Sequence, residues 1–347
     1  MTDAKQALSH TQEEYGLRPE AVEFPMMLVL SFAYPCNALC PHCPYTNSNI
    51  RDDYTDVPFM PEAIFKTIAD EAGTYGAYLR ISGGGEPMLH KRATELLVYA
   101  KQKGCKIGLI TNGSAFTERN SLALLEAGVD MIEFSVDACD EATYAVVRKG
   151  LKWDRLLRNA RRMIEMRNRL GSNSKIIASG VNQQGVDIVA VERFWRDEIG
   201  VDNFISRKFL TWGVNTRLDG ERSADPAPYL DVEATPCPFI FERLNIDSRG
   251  NVMVCGYDIA ANTSMGRVGE QTIKEIWHGE GFRYYREMHL SRRGGEIPMC
   301  ASCPDWKYRS WQHNYWKVVK HAEEHRQQVV KKLGVDDDFQ TQVESIR

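Results

Sequence analysis

The chain has 347 residues, 43% of them hydrophobic and 26% charged, with a formal net charge of −4 at pH 7. This is the composition of a globular protein, with room for one large domain and a smaller one. The mild acidity gives no basic footprint for nucleic acid, and no apolar run approaches the ~18 residues of a membrane helix. The opening MTDAKQALSHTQEEYG lacks the apolar core of a signal peptide. The sequence therefore predicts a cytoplasmic protein with no nucleic-acid or membrane partner.

Residues 1–24 read as a polar extension, after which a strand–helix rhythm begins. Candidate strands are Met27–Phe32, Ala77–Ser82, Lys106–Ile110, Met131–Val136, Lys175–Val181 and Asn203–Phe209. Between them, apolar residues at helical spacing predict helices over Pro61–Gly73, His90–Lys103, Thr117–Ala127, Lys152–Leu170 and Ile188–Ile199. Thr117 with Asn120 opens a helix, Asn112-Gly113 closes a strand, and Gly104 and Gly128 sit at helix C-ends. The arginines of Arg155–Arg169 form the wet face of an amphipathic helix whose apolar side carries Leu156, Leu157, Ala160, Met163, Ile164 and Met166. Successive βα units predict an α/β fold with a parallel sheet, covered on both faces or curled into a partial barrel. In either form the chemistry collects at the C-terminal strand ends.

The rhythm spans 25–211. Residues 212–235 are polar and contain Pro and Asp, the composition of a linker. Residues 236–310 change pattern: FERLNID, the turn Ser248-Arg249-Gly250-Asn251, then VMVCGYD predict a β-hairpin. Residues 311–347 read as a charged helical tail.

Nine cysteines in a chain without a signal peptide point to metal ligation or catalysis rather than disulfides. Cys36, Cys40 and Cys43 stand in a C-x3-C-x2-C spacing just after the first strand. Three thiolates on one tight loop can hold three corners of an iron–sulfur cube and leave one iron open. The alternative is a structural zinc knuckle completed by His42, although structural zinc wants four closed ligands. A second set, Cys237, Cys255, Cys300 and Cys303, can close a cluster or a zinc site completely.

The C-x3-C-x2-C loop resembles the signature of the radical S-adenosylmethionine (AdoMet) superfamily. Ser82–Pro87, S-G-G-G-E-P, resembles that family's GGEP loop. The resemblance implies a partial (β/α)6 TIM-like barrel with a [4Fe–4S] cluster on Cys36, Cys40 and Cys43. It implies bound AdoMet, reductively cleaved to a 5′-deoxyadenosyl radical. It also implies cofactor contacts from Gly84, Gly85 and Glu86, the Glu86 carboxylate meeting the methionyl ammonium, with Ser135 and Arg148 gripping the carboxylate. Thr111-Asn112-Gly113 resembles a recurrent family turn, and His42 stands where the family more often has an aromatic beside adenine. Hairpin, helix and C-x2-C together resemble a small C-terminal twitch (half-SPASM) domain with one auxiliary [4Fe–4S] cluster, giving two clusters in all. A reducing partner such as flavodoxin or ferredoxin is implied.

Twitch-type dehydrogenases then imply oxidation of an alcohol on a sugar- or aminocyclitol-like small molecule, the auxiliary cluster accepting the electron. Two alternatives stand beside this. Cys139, after the fourth strand, is either a buried thiol or the hydrogen donor of a radical epimerase. The third reading is modification of a ribosomal peptide. Cys105 reads as a small buried hydrophobe.

Overall fold

The computed structural model describes residues 17, 19–46, 49–209, 236–259, 261–301 and 303. The predicted linker and C-terminal tail lie outside the described residues. Six parallel strands, β1 (Met27–Leu30), β2 (Tyr78–Ile81), β3 (Lys106–Thr111), β4 (Met131–Ser135), β5 (Lys175–Asn182) and β6 (Asn203–Lys208), stand in sequential order in one sheet. Each agrees with its predicted span to within two residues at either end. A period of 3.6 or 2 sustained over several residues is the strongest signal a chain carries about itself.

Helices Glu62–Thr74, Ala93–Gln102, Glu118–Glu126 and Trp153–Arg169 cover the outer face, as expected. Thr117 caps its helix through a reciprocal capping box with Asn120. In Trp153–Arg169, Leu156, Ala160, Met163, Ile164 and Met166 are buried, and its arginines form the outer side of an amphipathic helix, except Arg167, which is 2% exposed and pairs with the buried Asp202. The expected helix over Ile188–Ile199 divides into an α-helix, Ile188–Arg193, and a wider π turn, Phe194–Ile199. A short helix, Glu141–Val147, was not expected; with only two turns its periodicity is too brief to read.

Alternation along the strands sorts side chains between two environments. Leu28, Leu79, Ile107, Ile132, Ile176 and Phe204 point outward into the core beneath the helices. Inside the curl, Met27, Tyr78, Met131 and Ile177 form an apolar plug, with Val29 and Ile205 packed against it. One layer higher the inward positions become polar: Arg80, Glu133, Ser179 and Arg207 line an open cavity rather than a packed core.

The C-terminal hairpin does not form a sheet of its own. Its first strand, β7 (Arg243–Ile246), pairs parallel with β1, from Met27 opposite Arg243 to Leu30 opposite Ile246. β8 (Asn251–Met253) and β9 (Gly266–Arg267) follow antiparallel, giving nine strands in the order β6-β5-β4-β3-β2-β1-β7-β8-β9. The hairpin therefore extends the sheet beyond β1, on the side away from β6.

Candidate active site

Cys36, Cys40 and Cys43 line a cavity of about 380 Å³ at the C-terminal strand ends. Their loop is held tightly. Cys43 N–H donates to Cys40 O at 3.1 Å, and Leu39 N–H to Lys149 O at 2.8 Å. Ala38 N–H points at Cys36 Sγ, 3.4 Å away. Burial pushes the Cys40 thiol up to about 11, while the Arg148 guanidinium pulls it back.

Arg148 is not the surface residue its charged neighbours suggest. Its side chain is 12% exposed, pairs with Asp137 Oδ2 at 2.7 Å, and directs Nη1 at Cys40 Sγ, 3.8 Å away. Asp137 is fully buried in a left-handed backbone conformation, φ 57°. It accepts from Val181 N–H at 2.7 Å, and its other oxygen lies 3.3 Å from His42 Nε2. Asp137 thus joins the cysteine loop to the ends of β4 and β5. Sequence reading missed it, and an acid just beyond the apolar run of β4 was the signal. Ser135 also lines the cavity.

The glycine loop approaches the cysteine loop through its backbone. Glu86 N–H donates to Pro35 O at 2.9 Å, and Gly84 forms a parallel bridge with Ala33. A Cβ on Gly85 would stand 2.1 Å from Pro35 O, and one on Gly84 2.6 Å from Ala33 O, with φ +72° at Gly84. Neither position admits a side chain. Gly83, Gly84 and Gly85 all line the cavity, and Arg51 secures Gly84 O from its Nε and Nη2 at 3.2 and 3.1 Å.

Glu86 sits behind the glycine loop. It is 1% exposed and does not line the cavity. Its carboxylate accepts from Met88 N–H (3.0 Å), Thr111 Oγ1 (2.6 Å) and Asn112 N–H (2.7 Å). Burial raises its pKa, and these three donors work against that rise. The carboxylate is engaged inside the protein, tying the glycine loop to Thr111-Asn112-Gly113. Asn112 Nδ2 in turn donates to Asn37 Oδ1 at 2.9 Å, linking that turn to the cysteine loop.

In the C-terminal region Cys237 and Cys255 are buried, and Cys300 and Cys303 are half-buried. Cys303 N–H donates to Cys300 O at 3.2 Å. His289 joins the set: its Nδ1 accepts from Cys237 N–H at 3.1 Å, which places the ring proton on Nε2, 3.5 Å from Cys300 Sγ. The Tyr285 phenol, pushed up to about 12 chiefly by burial, also feels Cys300 and Cys255. Gly256 and Tyr257, immediately after Cys255, line the same cavity as the first three cysteines.

The remaining thiols stand apart. Cys139 does not line the cavity; burial and the nearby Asp140, Asp187 and Glu198 raise its pKa. Cys105 is buried, its Sγ 3.3 Å from Ala69 O.

None of the nine cysteines is paired in a disulfide. Three on one loop facing one cavity, with an N–H and a guanidinium already aimed at two of their sulfurs, form the donor set that three corners of an iron–sulfur cube require. The glycine loop beside them is a cradle that a Cβ would fill.

Comparison with known proteins agrees. The family model for the Radical SAM superfamily matches residues 30–183, and that for an iron–sulfur cluster-binding SPASM domain matches residues 237–304. PqqA peptide cyclase of Xanthomonas campestris is 25% identical over 324 residues, covering 81% of each chain. Among solved structures, BtrN in complex with AdoMet and 2-DOIA shares 18% identity at a TM-score of 0.53, over 80% of this chain and 92% of that one. Streptococcus suis SuiB bound to its precursor peptide SuiA shares 16% identity at a TM-score of 0.62, over 92% and 77%.

Proposed function

Because this chain belongs to the radical S-adenosylmethionine superfamily and carries a SPASM domain, we propose that it oxidises an alcohol carbon of a sugar- or aminocyclitol-like small molecule. Cys36, Cys40 and Cys43 hold one [4Fe–4S] cluster; Cys237, Cys255, Cys300 and Cys303 hold a second. When bound, these groups and AdoMet supply hydrogen-atom abstraction from an unactivated C–H and one-electron acceptance.

The protein's own residues supply placement. The backbone of Gly83–Gly85, with Ser135, borders the part of the cavity next to the first cluster loop and would hold AdoMet there. Arg148 balances the negative charge of Cys40 and is itself anchored by Asp137. Glu86 holds the glycine loop in shape from behind. Turning a secondary alcohol into a ketone removes a hydrogen atom from carbon, a proton from oxygen and one electron. A reducing protein such as flavodoxin or ferredoxin supplies the electron that begins each turnover.

One observation carries this reading: the Cys36–Cys43 loop and the turn after Cys255 open onto a single cavity. An auxiliary cluster beside the substrate is suited to accept an electron from it. An epimerase needs a hydrogen-donating thiol at the cavity, and the absence of Cys139 from the lining described for it supports oxidation over inversion. Anaerobic incubation with reductant, AdoMet and perdeuterated cell metabolites tests the proposal. The expected result is deuterium in 5′-deoxyadenosine and one ketone per cofactor consumed. Deuterium transfer with an inverted but unoxidised product overturns it.

The second reading is modification of a peptide. The similarity to PqqA peptide cyclase over 81% of both chains favours it. The same incubation with precursor peptides encoded beside the gene separates the two.

A further inference from the structure

Two charged side chains on the inner wall of the cavity are paired, yet their hydrogen bonding is incomplete. Glu133, fully buried on β4, pairs with Arg207. Burial opposes its charge, but Arg207 and Arg80 outweigh that and hold its carboxyl below the usual carboxylate range. Arg243, 4% exposed on β7, pairs through Nη2 with Glu242 Oε2 at 2.9 Å. Its guanidinium lies 4.2 Å from the centre of the Phe239 ring. Asn245 is the next inward residue of the same strand and is equally buried. All three residues line the cavity. Among the described residues, Glu133 Oε2, Arg243 Nε and Asn245 Nδ2 are buried without a hydrogen-bond partner.

A buried donor or acceptor left unfilled keeps the full cost of losing its water. Three of them on one cavity wall mark where an outside molecule completes the set. Strand register places them. Met27 of the apolar plug stands opposite Arg243, and Val29, the next inward residue, opposite Asn245. Asn245 also lies against the turn after Cys255, since a Cβ on Gly256 would stand 2.8 Å from its Oδ1. Glu133 is two residues before Ser135, so at a rise of about 3.3 Å per residue it sits roughly 7 Å deeper along β4. That depth leaves room for one ring between the unfilled groups and the level of the glycine loop.

Two donors and one acceptor, on side chains whose charges are already paired, favour one chemistry. A phosphate or carboxylate suits Arg243 and Asn245 but meets repulsion at Glu133. A hydroxyl both donates and accepts, so neighbouring hydroxyls on one ring can fill all three positions. We propose that Glu133, Arg243 and Asn245 recognise an uncharged, hydroxyl-rich face of the substrate, holding its opposite edge toward the cysteine loop. This deepens the function proposed above and rests on it.

The test is calorimetric titration of the anaerobically reconstituted full-length protein, saturated with AdoMet. The probes are myo-inositol for a cyclitol, methyl glucoside for a sugar, and inorganic phosphate and triglycine as contrasts. Saturable binding of one polyol is expected, weakened about tenfold in N245L and in R243Q, as for loss of one hydrogen bond. R243K keeps the positive charge beside Glu242 but lacks the Nε donor, and it weakens binding too. The urea midpoint of N245L stays at or above the wild-type value, because an unfilled donor has been removed. AdoMet affinity and iron content remain at wild-type values in all three variants. Binding of myo-inositol alone identifies a cyclitol and of methyl glucoside alone a sugar; either supports the proposal. Absence of saturable polyol binding, binding of phosphate or triglycine in its place, or wild-type polyol affinity in folded N245L and R243Q overturns it. The two readings fail separately. Polyol binding without ketone formation removes the oxidation and supports the recognition site, whereas ketone formation from cell metabolites with no polyol bound removes the site and keeps the oxidation.

Discussion

The Thr111 hydroxyl donates to Glu86 Oε1 at 2.6 Å, fastening the end of β3 to the glycine loop that follows β2. With the N–H groups of Met88 and Asn112, it makes Glu86 an internal clamp between two cavity loops.

Glu86→Ala leaves three donors without their acceptor and should destabilise the protein by about 3–9 kcal/mol, at ~1–3 kcal/mol for each buried unsatisfied group. Glu86→Gln must turn an amide NH2 toward one of those donors and should cost about 2 kcal/mol. Urea denaturation measures both, and AdoMet affinity falls in both because the glycine loop shifts. A Gln variant of wild-type stability but weakened AdoMet binding would return the carboxylate to the cofactor ammonium.

Arg148 directs a donor at Cys40 Sγ from an anchored position on Asp137. Hydrogen bonds to cluster sulfurs raise reduction potentials. Arg148→Gln should therefore lower the potential of the N-terminal cluster by about 59 mV, the one-electron equivalent of ~1.4 kcal/mol. Anaerobic redox titration followed by electron paramagnetic resonance reads this shift, while the auxiliary cluster serves as an internal control. Equal movement of both potentials would contradict the assignment.

Reconstituted protein should hold about eight irons, and the Cys36→Ala/Cys40→Ala/Cys43→Ala variant about four. Cys255→Ala or Cys300→Ala should lose the other four and loosen the hairpin, because metal-binding energy there is folding energy. Limited proteolysis after iron chelation checks the same coupling. Retention of all iron in the triple variant refutes the N-terminal assignment.

Cys139→Ala should keep both 5′-deoxyadenosine formation and ketone yield, since the thiol lies outside the cavity lining. A truncation of this size at a half-buried site costs at most about 1 kcal/mol. Loss of product with 5′-deoxyadenosine formation intact would revive the epimerase.

What the chain could say about itself was local. The six strands, four of the covering helices and the two cysteine motifs were legible because each is written in a short window of periodicity or spacing. The GGEP-like loop was legible for the same reason. The unexpected helix Glu141–Val147 was too short for that signal.

Tertiary structure decided everything that depends on residues far apart in sequence. Glu86 meets donors 25 and 26 residues away, because β3 lies beside β2. Arg148 came to Cys40 across 108 residues, through an acid whose position only the curl of the sheet could fix. Pairing of β7 with β1 brought Gly256 and Tyr257, the residues after Cys255, to the first cavity. Spacing determines which ligands a loop offers; only the packing of strands determines which loops face each other.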